Sequence, residues 1–245
     1  IILRQLGFVG GGYFWIVANS FLWTIFYALA WDQFFVGVPH TLRYRDLLKI
    51  KISGEAVNYM TPLGFVAGDP IRVFLLRHFM GPEARLRSVV VDRCMHSLSA
   101  QFFCLVGLVM LFFERIPFPL WLHALLLVIY LVAFCFLASL TVSLLTGRGF
   151  GFFDPLFRYL FVSQRFPKIS EQLNKLRENL GYYKDKPKRG FLYAFFLHFV
   201  GRVLGAVEVM IIFYCFEGRL AFAFAMILTT LTSFFSVVFG FIPGA

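Results

Sequence analysis

Apolar runs of crossing length alternate with short polar stretches along this chain. Five such runs stand out: roughly 7–30, 88–113, 118–145 and 190–216, and a fifth that begins near 220. A helix needs about 20 predominantly apolar residues to cross about 30 Å of hydrocarbon. The in-out alternation of a membrane barrel is absent. The pattern therefore predicts an all-α, polytopic integral membrane helical bundle. Residues 1–245 read as one integral membrane domain, a piece of a longer protein cut at both ends. Within it, 146–189 forms a connection where Ile169, Leu173, Leu176 and Leu180 keep helical spacing among Lys and Glu. That spacing predicts an amphipathic helix on the membrane surface.

One stretch breaks the pattern. Residues 54–72, GEAVNYMTPLGFVAGDPIR, put two carboxylates, an arginine, two prolines and three glycines between apolar pieces too short to span. Pro62 and Pro70 each remove a backbone donor, and Gly64 and Gly68 loosen the helix further. A straight crossing is excluded, and the stretch predicts a re-entrant element: a short helix in, a broken turn and a short helix out. Irregular backbone at that depth is tolerated only against protein or a wet cavity. Broken helices also offer free termini to ligands. Asp69, just before Pro70, is suited either to cap a helix over 70–77 or to meet Arg72 or a ligand. SVVFGFIPGA at the chain's end repeats the Gly-Pro-Gly pattern, hinting at an internal pseudo-repeat.

Composition sharpens the class. Of the 245 residues, 60% are hydrophobic and 15% charged, too few charges for a water-exposed surface. The net charge of +10 reflects basic connections: eight Lys/Arg in 31–87 and ten in 146–189, against Arg4, Arg115 and Arg219 on the opposite side. Basic loops stay in the cytoplasm, so both long connections are expected there, in a multi-pass protein of the cytoplasmic membrane. Anionic headgroups account for this charge, and no nucleic-acid partner is expected. The four cysteines lie in apolar runs without metal-like spacing and read as small buried hydrophobes. No metal and no cofactor is expected.

Ionisable residues inside the apolar runs are the candidate chemistry. Asp92 and Arg93 enter the second run, and His198, Arg202 and Glu208 lie within the fourth. Each charge costs about 2.5–3.5 kcal/mol at the bilayer centre. Adjacent helical residues point about 100° apart, so Asp92 and Arg93 each need a partner elsewhere. Two arrangements satisfy them: a static salt-bridge network, or a hydrated cavity for a charged headgroup. His198 is either a packed, hydrogen-bonded histidine or part of a proton relay. Gly201 and Gly205, in GRVLG, allow a close helix approach beside Arg202, as do Gly7 and Gly11 in the first run.

GEAVNYMTPLGFVAGDPIRVFLLR resembles the signature of the flippase-like membrane domain of lysylphosphatidylglycerol synthases. The matching positions are Glu55, Asn58, Pro62, Gly64, Gly68, Asp69 and Arg72. SVVVDRCMHSL is similar to the family's Asp-Arg motif and supplies Asp92 and Arg93. FIPGA is similar to its second Pro-Gly motif, with Pro243 and Gly244. YALAWDQFF resembles a further family segment, with Ala30 where the family usually has arginine. The resemblance implies translocation of a phospholipid or glycolipid, with a soluble synthase domain fused or separate. It also leaves room for a homo-oligomer.

The combined expectation is a headgroup site without catalytic residues. Arg72, Arg93 and Arg202 would face phosphate. Glu55, Asp69, Asp92 and Glu208 would balance them or meet an amine. Asn58, Pro62, Gly64, Gly68, His198, Pro243 and Gly244 complete the candidate binding set. The alternatives are the membrane part of a lipid-modifying transferase, making aminoacyl or glycosyl lipids, and a non-catalytic scaffold.

Overall fold

The computed structural model describes residues 10–35, 41–61, 67–114, 119–146, 175, 178–184, 186, 188–218 and 221–239. Among these the chain is helical, without strands. The helices are α1 (Gly12–Asp32), α2 (Tyr44–Met60), α3 (Gly68–Leu75), α4 (Pro82–Phe113), α5 (Leu120–Thr146), α6 (Lys188–Glu217) and α7 (Phe222–Phe239). Residues 12–35, 82–113, 120–139 and 188–217 are each long and apolar enough to cross a membrane. The apolar part of α7 described in full is shorter, Phe222–Ser233.

The apolar faces turned outward show which solvent the fold is built for. α5 leaves Leu120, Trp121, Val128, Leu131, Val132 and Val142 exposed. A helix apolar all round belongs in lipid or in a large core, and these α5 side chains are exposed rather than in a core. The protein is a multi-pass membrane protein. Cys104 is buried, as expected of a small hydrophobe, but Cys135 is exposed on α5. The outward face of α5 accepts any apolar residue, so the expectation of burial fails there.

Two apolar cores sit at opposite ends of the bundle. One gathers Trp31, Phe34, Leu47, Leu76, Val91 and Leu197, with Leu180 and Tyr183 from the chain leading into α6. The other gathers Phe103, Leu108, Leu126, Ala206 and Met226. At the first end the Tyr183 hydroxyl donates to the Phe34 carbonyl at 2.9 Å. Burial pushes that hydroxyl's pKa up to about 12, so it remains a donor. Arg87 donates to Asn179 at 3.1 Å and lies 3.8 Å from the Tyr182 ring. These contacts hold the end of α1, the start of α4 and the start of α6 together. Ile169, Leu173 and Leu176, on which most of the surface-helix expectation rests, lie outside the described residues. Leu180 is buried in the core.

α2 and α3 form a hairpin that leaves and returns at this same end. α2 stops at Met60, where Thr61 is extended, and α3 starts at Gly68. The two helices touch at glycines: a Cβ on Gly68 would lie 2.1 Å from the Gly54 carbonyl oxygen. A 3-10 turn and the extended Gly81 then lead into α4, with Pro82 in its first turn, a position that suits proline. Residues 54–72 are therefore a broken, re-entrant pair of helices and not a rod. Pro62 and Gly64, expected at the break, lie outside the described residues, as do Pro243, Gly244 and the proposed repeat.

Of the glycines expected to admit a close neighbour, Gly201 does so. A Cβ there would lie 2.2 Å from the Tyr27 ring. Gly205 and Gly11 face open space, and Gly7 lies outside the described residues.

Candidate functional site

The site lies between the two cores, halfway along the longest helices. His96 is the fifteenth of 32 residues in α4, and Arg202 the fifteenth of 30 in α6. At a rise of about 1.5 Å per residue, both sit roughly 20 Å or more from either helix end. α2 and α3 bring further charges down to them.

Asp92 is the hub and is fully buried. Its Oδ2 accepts from Lys51 Nζ at 2.9 Å and from Arg72 Nη2. Its Oδ1 meets His198 Nε2 at 3.0 Å. Lys51, Arg72 and His198 are also buried. The Arg72 guanidinium carbon lies over Trp31, 3.9 Å from the ring centroid, an arrangement that suits a weakly hydrated planar cation. Arg72 also donates to Asp69 at 3.2 Å. It was expected to face phosphate, but in this conformation its guanidinium turns inward onto Asp92, Asp69 and Trp31, with its buried Nε unpartnered.

Asp69 was a candidate helix cap. It lies instead within the first turn of α3, and no side chain caps that helix at its N-cap. Its carboxylate takes a two-bond fork from Arg93, Nε at 2.8 Å and Nη2 at 2.7 Å, the strong geometry for such a pair. The backbone N–H of Gly68 is satisfied across the hairpin by Asn58 Oδ1 at 2.7 Å. Asn58 donates in turn to Glu55 at 3.2 Å, and Glu55 reaches Lys51 at 4.0 Å. The residues Glu55, Asn58, Gly68, Asp69, Arg72, Asp92 and Arg93 thus fall into one connected cluster. Asp92 and Arg93 do take separate partners on other helices.

Arg202 is different. Its Nη2 donates to His96 Nε2 at 2.6 Å, and its buried Nε has no partner. Among the described residues it has no carboxylate within ion-pair distance. Glu208, six residues on, accepts instead from Ser20 at 2.7 Å and from Trp23 Nε1 at 3.1 Å, both on α1. Tyr59, near the exposed tip of α2, lies in electrostatic reach of Glu55, Glu208 and Arg202.

Lys51, Arg72, Arg93 and Arg202 carry four positive charges, and Glu55, Asp69, Asp92 and Glu208 four negative ones. The sum is zero, but the distribution is uneven. The inner half is closed, with Asp92, Lys51 and Arg72 no more than 2% exposed. The outer half stays partly open: Arg93 is 28% exposed, Glu55 22% and Asp69 18%, and Arg202 and Glu208 are intermediate.

Lys51, His96, Ser20, Trp23 and Trp31 were not among the expected site residues. Lys51 sits in a segment polar enough to read as a loop, although its i,i+4 relation to Glu55 was visible. His96 stands four residues after Asp92 in an apolar run, a spacing that places both on one helix face. Lys51 and Arg72 also leave the tally of basic connections, reducing eight to six in 31–87.

The sequence profile of the lysylphosphatidylglycerol synthase transmembrane region matches residues 3–245. The chain belongs to that family. No curated protein and no solved structure matches it significantly. As a member of the lysylphosphatidylglycerol synthase transmembrane-region family, the chain has a function connected with membrane lipids.

Proposed function

We propose that this family member carries a phospholipid headgroup across the cytoplasmic membrane through the polar compartment between its two cores, the acyl chains staying in lipid. The observation that carries this is Arg202: a cation halfway along a membrane helix, partly open, with a neutral imidazole as its partner and, among the described residues, no carboxylate within ion-pair distance. A lone charge at that depth is costly, and a lipid phosphate is the counter-ion the surroundings can supply. Glu55 and Glu208, across the same opening, suit an ammonium group, so the mixed signs favour a headgroup bearing both phosphate and amine. The closed inner cluster of Asp92, Lys51 and Arg72, tied to Asp69, anchors the α2–α3 hairpin. Movement of that hairpin would expose the compartment to one leaflet and then the other. The basic end faces the cytoplasm by the excess of Lys/Arg there.

The family description also names a synthase, so the rival is the membrane part of a lipid-modifying transferase. Reconstituted vesicles carrying a fluorescent phosphatidylglycerol separate the two. Faster exchange of the label between leaflets than in protein-free vesicles, with the headgroup chemically unchanged, is expected. A modified headgroup without faster exchange overturns the proposal.

A further inference from the structure

Two histidines join the open half of the site to the closed half. Arg202 Nη2 meets His96 Nε2 at 2.6 Å, His96 Nδ1 meets His198 Nδ1 at 3.3 Å, and His198 Nε2 meets Asp92 Oδ1 at 3.0 Å. The ends of this chain fix its direction. A guanidinium only donates, and an ionised carboxylate only accepts. His96 must then accept on Nε2 and donate from Nδ1, and His198 must accept on Nδ1 and donate from Nε2. Both imidazoles are neutral, each in one defined tautomer. The Tyr27 ring packs against both, at 5.0 Å from His96 and 5.3 Å from His198, and holds the pair in register.

We propose that His96 takes up one proton whenever an anionic phosphodiester headgroup docks at Arg202, so that lipid and proton bind together. This rests on the headgroup site proposed above. In the empty state, a proton on His96 Nε2 would face the Arg202 N–H at 2.6 Å, donor against donor and cation against cation. A phosphodiester oxygen that accepts the Arg202 N–H removes both obstacles. Nε2 is then free, and a hydronium ion at the opening transfers its proton to it, leaving water. One N–H bond forms, one O–H bond breaks, and Arg202 keeps all its protons.

The charges facing the pair come from every neighbouring helix. α1 supplies Tyr27. α2 supplies Lys51, Glu55 and Tyr59, and α3 supplies Asp69 and Arg72. α4 itself carries Asp92 and Arg93, and α6 carries Arg202 and Glu208. α5 places Tyr130 in the other core, and α7 has no ionisable side chain. Lys51, Arg72 and Arg93 are matched by the three carboxylates of Asp92, Asp69 and Glu55. Arg202 is the cation left for an incoming anion to neutralise. Carried through a translocation cycle, the co-bound proton ties lipid movement to the proton gradient.

The phosphodiester of phosphatidylglycerol does not titrate near neutral pH, so protons that appear or vanish on binding belong to the protein. The experiment titrates the full chain in detergent with dihexanoyl phosphatidylglycerol, in weakly buffered solution containing an indicator dye, and measures affinity from pH 5.5 to 8. Wild type is expected to take up close to one proton per lipid bound. Its affinity rises as pH falls, by up to about tenfold per pH unit, because the complex holds the extra proton. His96→Gln can accept from Arg202 and donate to His198 without titrating. It should bind with no proton uptake and with a pH-independent affinity. Lipid binding to wild type without proton uptake overturns the coupling and leaves the headgroup site standing. No binding at any pH overturns both. Equal binding and uptake with glycerophosphoglycerol, which lacks acyl chains, keeps the coupling but overturns the lipid as its source.

Discussion

Among single residues, Asp92 decides whether the site exists. It pairs with both Lys51 and Arg72, two cations no more than 2% exposed. Asp92→Asn keeps the shape and removes the charge, leaving Lys51 only Glu55 at 4.0 Å and Arg72 only Asp69 at 3.2 Å as ionic partners. Breaking a buried pair from one side costs about 3–5 kcal/mol. A large fall in the melting temperature of the purified protein is therefore expected. Asp69→Asn should cost less, since Arg93 is 28% exposed and can turn to water or a headgroup. Equal losses for the two variants would show that burial does not set the cost. Much of this cluster was legible from sequence because an ionisable group in an apolar run is expensive and must be explained. Asp92, Arg93 and Arg202 announce themselves this way. Lys51 does not, because its own helix is half polar, and a lysine there looks like one more basic loop residue. What Arg72 touches was not legible either. Its contact with Trp31 joins positions 41 apart in sequence, and no local spacing encodes that.

For the elements, glycine contacts set how closely helices approach. A Cβ on Gly68 meets the Gly54 backbone at 2.1 Å, and one on Gly201 meets the Tyr27 ring at 2.2 Å. Gly205, in the same small-residue pattern, meets nothing within 4 Å. Gly68→Ala and Gly201→Ala should each cost about 1–3 kcal/mol through overpacking, and Gly68→Ala should cost more because rigid backbone cannot yield. Gly205→Ala should be neutral or slightly stabilising, since alanine is the better helix former. Thermal unfolding of the three variants checks the order, and a Gly205→Ala loss as large as the others would contradict it. Four of the five expected crossings match α1, α4, α5 and α6, with most ends within a few residues, while the fifth coincides with α7, whose described apolar part is shorter than a crossing. The larger miss is informative: α4 begins at Pro82 and not near 88, because Gly81-Pro82-Glu83 starts a helix whose first turns are charged and extend beyond the apolar run. The hairpin was legible from its prolines and glycines. Its crossing at Gly54 and Gly68 was not, because the pattern does not say which glycine meets which.

Over the whole molecule, two apolar cores close the ends of a bundle and leave a polar band between them. Cores of this kind follow from hydrophobic runs alone. The band follows from charges carried by α2, α3, α4 and α6, which are far apart in sequence and meet only when the hairpin folds back into the bundle. The central claim is that this band, through Arg202, holds a phospholipid headgroup. Arg202→Ala removes the phosphate contact without stranding a carboxylate, so the fold should survive. Arg72→Ala is unsuited to this purpose, because it strips Asp92 and Asp69 of a buried partner. The most direct measurement is the lipid retained by purified wild type and Arg202→Ala, quantified by native mass spectrometry alongside their melting temperatures. The prediction is an anionic phospholipid on wild type above its bulk membrane share, and roughly tenfold less on Arg202→Ala, equivalent to about 1.4 kcal/mol, at a nearly unchanged melting temperature. Retention of the same lipid at the same level by both proteins would contradict it.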